Sequence, residues 1–310
     1  MKKLLFSVLM LMVAATMVKA DLDPRLHAWW TFDEGANPTL AYDSSIWANT
    51  GLLYAETAAF DPPVPIPGNA PTWTTDRFGN ANSALLFNEP GCGSVRVAQS
   101  PSLEYLDRSY RAWSLAMWIR QDSTDRLLPA GSSYQRVISS PTMEVELGPG
   151  SDADYTWPYY EGNWGPLDIP VGPTYNQIGG SNGQWYNLAI TYDGQDVKEY
   201  LSVWDGDVGN YVTYLVGTTN VGVQYLPDDW SGEGWLGTPM AIGTQIWPVQ
   251  GFYVGALDDV TIIGNGYIDA AGVQGLANGQ YTPGTVPIIP EPATLVLLGL
   301  GGLLLRKRVG

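Results

Sequence analysis

The sequence predicts an all-β protein, a two-sheet antiparallel sandwich, and three observations carry that expectation. Of the 310 residues, 45% are apolar and 12% aromatic, enough to build a core. The 36 Gly and 23 Pro interrupt the chain at short intervals, which suits strands joined by turns and excludes long helices. Between residues 21 and 285, apolar and polar residues alternate in short runs, the period of half-buried strands.

These runs occupy 27–32, 84–87, 94–97, 113–120, 185–192, 200–204 and 255–262. In the first, Trp29 and Trp30 point to opposite faces, so at least one belongs to the core. Asp193-Gly194 and Asp205-Gly206 mark tight turns. One helix is expected over 269–278, with Asp269 capping its start and Gly279 ending it. No internal repeat divides the region, so 21–285 reads as one domain. A domain of that size buries about three quarters of its unfolded surface. The single cysteine, Cys92, leaves no partner for an internal disulfide.

Several strings then point to a family. Ala28-Trp29-Trp30-Thr31-Phe32-Asp33-Glu34-Gly35, with Asp43-Ser44-Ser45 and Asn49-Thr50-Gly51, resembles the opening of the laminin-G-like, concanavalin-A-like family. Trp113 to Ile119 is similar to its central strand, and the stretch from Gly183 to Gly194 to the strand and turn that follow. Gly255-Ala256-Leu257-Asp258-Asp259-Val260-Thr261-Ile262 and the short helix resemble its close. The resemblance runs in order across most of 26–280 and implies a jelly-roll sandwich. Tyr186 and Asn187 stand where the family often has His, and insertions fill 55–82 and 148–183.

Both ends of the chain look like addresses. Lys2-Lys3, an apolar run from Leu4 to Val18 and Ala20 have the features of a signal peptide over 1–20, with its own helix. The run falls short of the about 20 residues a membrane span needs. At the other end, over 286–310, Pro290-Glu291-Pro292 precedes an apolar run, expected as a short helix, and the basic cluster Arg306-Lys307-Arg308. Two prolines keep the tripeptide extended, and the basic cluster resists translocation. The arrangement resembles the PEP-CTERM sorting signal of Gram-negative bacteria. That resemblance implies export, transient anchoring in the inner membrane, processing by an exosortase, and a final place on the cell surface or in the matrix.

Charge excludes further classes. Fifteen basic residues face 31 acidic ones, the wrong sign for nucleic-acid binding. Six of the basic residues, Lys2, Lys3, Lys19, Arg306, Lys307 and Arg308, lie in the two ends, so the body is more acidic still. One Cys and one His cannot form a zinc site of such ligands, which leaves a hard cation such as calcium. Asp33, Asp43, Asn49 and Asp258 are the candidate oxygen ligands, because first and last strands of a sandwich are commonly neighbours. The family resemblance implies the same cofactor. The alternative is that these groups cap turns and pair with backbone amides.

Two aromatic groups suggest a glycan platform: Trp157, Tyr159, Tyr160 and Trp164 in one loop, and Trp230 and Trp235 beside Asp228, Asp229 and Glu233 in another. The competing reading packs these rings onto the sandwich. Sugar hydrolases of the same sandwich class use a Glu-x-Asp pattern, and none occurs. Glu144-Val145-Glu146 reads instead as a like-charged exposed edge. His27, the sole histidine, sits among strand aromatics and not in a nucleophile's setting. The sequence therefore predicts an exported, non-catalytic protein that binds extracellular polysaccharide. The alternatives are a matrix protein that binds other proteins and a glycoside hydrolase.

Overall fold

A computed structural model describes residues 22–35, 39–58, 66–67, 69–87, 93–103, 112–122, 135–140, 143–147, 156–160, 183–220, 240–246, 249–250 and 252–290. Its first strands are β1 (Leu26–Trp30), β2 (Leu40–Ala41), β3 (Gly51–Ala55), β4 (Thr57–Ala58), β5 (Ile66–Pro67), β6 (Thr72–Thr74), β7 (Ala84–Phe87) and β8 (Gly93–Val97). The middle of the chain supplies β9 (Trp113–Gln121), β10 (Gln135–Ser139), β11 (Met143–Leu147), β12 (Thr156–Tyr160), β13 (Trp185–Tyr192), β14 (Asp196–Asp205) and β15 (Asn210–Asn220). After these come β16 (Met240–Ile242), β17 (Gln245–Ile246), β18 (Val249–Gln250), β19 (Gly255–Gly264), β20 (Gly266–Tyr267), helix α1 (Ala270–Ala277) and β21 (Ile289–Pro290).

Two antiparallel sheets form the sandwich. One has eight strands in the order β15-β14-β13-β9-β19-β7-β6, with β1 also paired to β19. The other has seven, in the order β12-β11-β10-β16-β8-β3-β2. First and last strands are neighbours, as expected, with Trp30 opposite Val260.

Alternation explains the core. Leu115, Met117 and Ile119 of β9, Leu188 and Ile190 of β13, and Leu257, Val260 and Ile262 of β19 face the gap between the sheets. Val95, Val97, Val145, Met240 and Ile242 meet them from the other side. Trp30 is fully buried there, whereas Trp29 lies on the opposite face, half-buried.

The central strands differ from the half-buried expectation: β9 and β19 are buried along nearly their whole length. A third layer is the reason. Helix α1 packs Val273 and Leu276 over Ala116, Ala189, Tyr200 and Ile263 on the outer face of the larger sheet. Asp269 caps the helix by accepting from Gly272 N, and Gly279 follows with φ of +66°. Asn278 and Gln274 tie the helix to β15, each donating to the Tyr211 carbonyl at 3.0 and 2.6 Å.

The packed body also runs past residue 285. Val286 and Ile288 join the cluster under α1, and β21 pairs with β20. Arg25 Nη1 donates to the Ile288 carbonyl at 3.1 Å. Removing 286–290 strips a buried valine and a strand pair, so a chain ending at Thr285 is expected to lose about 2 kcal/mol relative to one ending at Pro290. In thermal unfolding this is about 4–8 °C; equal melting temperatures would contradict the docking. Residues 1–20, Glu291, Pro292 and the basic cluster 306–308 lie outside the described residues, as does Cys92. Among the described residues no helix is long and apolar enough to cross a membrane.

Candidate functional site

The turn after β2 is organised by one carboxylate. Asp43 Oδ1 accepts from the backbone N–H groups of Trp29 and Ser45, both at 2.8 Å. Its Oδ2 accepts from Ser45 Oγ and from Asn49 N, both at 2.7 Å. Asn49 in turn donates to the His27 carbonyl at 2.8 Å and to Ser102 Oγ at 2.9 Å, and accepts from Ser100 Oγ at 2.6 Å. His27 is buried, its Nδ1 2.7 Å from the Ser102 carbonyl and its ring edge-on to Trp47.

A second acidic cluster lies on β19. Its ladder with β9 breaks between Asp258 and Thr261, and Asp259 adopts a φ of +49° there. Such a bulge re-aims side chains, and both carboxylates reach one guanidinium. Arg77 donates from Nη1 to Asp258 Oδ2 at 2.7 Å and from Nη2 to Asp259 Oδ2 at 2.9 Å. The guanidinium carbon sits 4.4 Å from the ring centroids of both Phe78 and Trp118. Asp76 holds this turn by accepting from Phe78 N and Asn80 N, both at 2.8 Å.

The four residues expected to gather around calcium therefore divide between two places. Asp43 and Asn49 share the first cluster; Asp33 lies within electrostatic range of Asp258 and Asp259 in the second. Neither place fits the cation. A carboxylate offers about four lone-pair sites, and Asp43 uses all of them on protein donors. At Asp258 the positive charge is already supplied by Arg77. Among the described residues no group of three or more His, Cys, Asp or Glu side chains is arranged for a metal.

Two carboxylates share one guanidinium, so one of them tends to keep its proton. Burial above all, and then the Asp259 charge, push the Asp258 carboxyl up to about 8, against the opposing pull of Arg77. Over the interval from about 4 to 8 the folded state then holds a proton that the unfolded state has released. Stability contributed by this group is complete below the unfolded value and is lost as the pH rises through the folded one, by at most about 1.4 kcal/mol per pH unit. Melting temperature followed across this interval is expected to fall more steeply in the wild type than in Asp258→Asn; parallel curves would contradict the assignment.

The aromatic groups fare differently. Trp157, Tyr159 and Tyr160 lie on β12, at the edge of the seven-stranded sheet, where Pro158 is tolerated. Trp157 is in register with Glu146, and Tyr159 with Glu144. Strand β11 is not the edge expected for Glu144-Val145-Glu146: it pairs with β10 on one side and β12 on the other. Trp164, Trp230 and Trp235 lie outside the described residues. Arg77 escaped the sequence reading, although an acid-rich chain with few cations gives each of them a high chance of a carboxylate partner.

The fold defines the class: a two-sheet antiparallel β-sandwich. Solved structures are similar to it at low identity. The binding domain of Paraclostridial Mosquitocidal Protein 1 is 13% identical with a TM-score of 0.52, over 82% of this chain and 52% of that one. Domain 4 of AbnA, an extracellular GH43 arabinanase from Geobacillus stearothermophilus solved with arabinotriose, is 19% identical with a TM-score of 0.48, over 81% of this chain and 98% of that one. The binding domain of botulinum neurotoxin serotype C1 is 12% identical with a TM-score of 0.41, over 82% and 52%. The chain thus spans about half the length of these toxin domains. A search of curated protein sequences finds no match. Residues 289–308 match the PEP-CTERM protein-sorting motif, which marks the chain as an exported exosortase substrate.

Proposed function

We propose that this exported protein is a non-catalytic binding module of the cell surface or extracellular matrix, and that its sandwich recognises polysaccharide. The observation that carries the reading is the register of β11 and β12, which sets Trp157 beside Glu146 and Tyr159 beside Glu144. Sugar rings stack their C–H faces on aromatic rings, and carboxylates accept hydrogen bonds from hydroxyl groups. The backbone ladder pairs an aromatic residue of β12 with a glutamate of β11 at two positions two residues apart. The acidic surface excludes anionic polymers as the preferred target. The folded body reaches the first residues of the sorting motif, so a chain processed beyond Pro290 leaves the cell with its sandwich whole.

A glycan array probed with the exported protein tests this. Binding to neutral polysaccharides that is lost in the double variant Trp157→Ala, Tyr159→Ala supports it. Silence on every glycan, with retention on matrix proteins, would replace it with protein adhesion. The bound polysaccharide is expected to survive incubation intact; release of reducing sugar that disappears in Glu144→Gln would make the protein a hydrolase.

A further inference from the structure

A cleft of about 250 Å³ opens on the outer face of the eight-stranded sheet, between the Arg77–Phe78 turn and the chain that leaves α1. The sequence strings that carry the family resemblance supply Trp29, Asn187 and Thr261 to it, and it lies on the other sheet from the β12 platform. Asn187 of β13, Thr261 of β19 and Trp29 of β1 line it together with Phe78 and Tyr281. Phe78 is 67% exposed.

Asn187 gives the cleft its chemistry. It is 2% exposed, and its Nδ2 donates to the Met117 carbonyl at 3.1 Å. Its Oδ1 is buried and accepts from no described group. An acceptor buried without a donor is unfavourable, so a donor arriving through the cleft recovers that cost. Beside it the Trp29 indole is held by its Nε1–H on Asp259 Oδ1 at 2.9 Å, which fixes the ring's orientation.

Charge and size narrow the ligand. The Arg77 cation is committed to Asp258 and Asp259, and Asp33 and Asp76 add negative charge nearby. Among the described residues that line the cleft, no other positive group is present to meet an anion. The volume lies below the about 300 Å³ at which drug-sized pockets begin, so the space suits one ring and not a chain. We infer that this cleft binds a single neutral polyhydroxylated ring, a hexose or cyclitol, whose hydroxyl donates to Asn187 Oδ1 while Trp29 and Tyr281 cover its C–H surface. The site is separate from the polysaccharide platform and stands or falls independently of it.

Saturation-transfer NMR on the exported protein, with free glucose, galactose, mannose and myo-inositol as probes and choline as a cationic comparison, tests the inference. At least one neutral ring is expected to bind. Asn187→Leu is expected to weaken it about tenfold or more, as loss of one well-placed hydrogen bond does. Because that variant also strands the Met117 carbonyl, Thr282→Trp serves as a second one. It fills the cleft from an exposed rim position and is expected to abolish the signal with the melting temperature unchanged. The Trp157→Ala, Tyr159→Ala variant is expected to bind the small ring normally, which separates this site from the platform. Absence of binding by every neutral ring, preference for choline, or undiminished binding in Thr282→Trp would each overturn the proposal.

Discussion

Replacing Arg77 by Met is expected to destabilise the fold by about 3–5 kcal/mol, the loss seen when one partner of a buried ion pair is removed. The guanidinium is 11% exposed and Asp258 5% exposed, so water screens the contact little. Met keeps an unbranched apolar stem but loses the guanidinium over Phe78 and Trp118 and leaves two carboxylates on one bulge without a counter-charge. Because Asp258 already tends to hold a proton, the loss should be smallest near pH 5 and grow above pH 8. Urea unfolding at both pH values measures it. A loss below about 1 kcal/mol at high pH would place the charge compensation elsewhere. Lys in the same position keeps the charge but cannot fork across two carboxylates or stack as a plane, so Arg77→Lys should recover only part of the stability.

Asp43→Ala carries the second large effect. Four donors converge on this carboxylate from three parts of the chain: Trp29 in the first strand, Ser45 in the turn and Asn49 at its end. Hydrogen bonds to a charged acceptor contribute about 1.5–3 kcal/mol each and are not additive within one cluster, so a total of about 3 kcal/mol or more is expected. Asn49 then loses its anchor, and with it the positions of His27, Ser100 and Ser102. Asp43→Asn should retain roughly half the stability, since the amide accepts at one oxygen and repels donors at its nitrogen. An Asp43→Ala protein as stable as the wild type would mean that the turn is held by packing alone.

These two clusters show what alternation and turn chemistry reveal and what they hide. Strands β7 and β13 were legible to the residue, because apolar faces of period two stop at turn residues. The helix was legible from its cap: Asp269 and Gly279 are the residues that a helix start and stop demand. Asp43 and Asp258 were expected as calcium ligands, and in the fold their oxygens accept from protein donors. What their spacing did not reveal is who receives those oxygens, since Arg77 meets Asp258 across 181 positions of the chain. Long-range pairing of charges leaves no local pattern. Strand β15 was missed for a related reason: its burial does not alternate, with Tyr211 to Tyr214 all partly buried and Leu215 exposed, and only α1 and β14 lying against it make the strand necessary. The extension of the body to Pro290 was hidden because two prolines read as a linker, whereas Val286 and Ile288 have a cluster to fill.

The most direct test is a mass spectrum of the C-terminus of the mature protein recovered outside the cell. An exported sandwich carrying a removable sorting tail predicts a chain that keeps Ile289 and Pro290, the strand that closes the body, and has lost Arg306-Lys307-Arg308. A secreted chain that still ends beyond Arg308, or one cut before Val286, would contradict it.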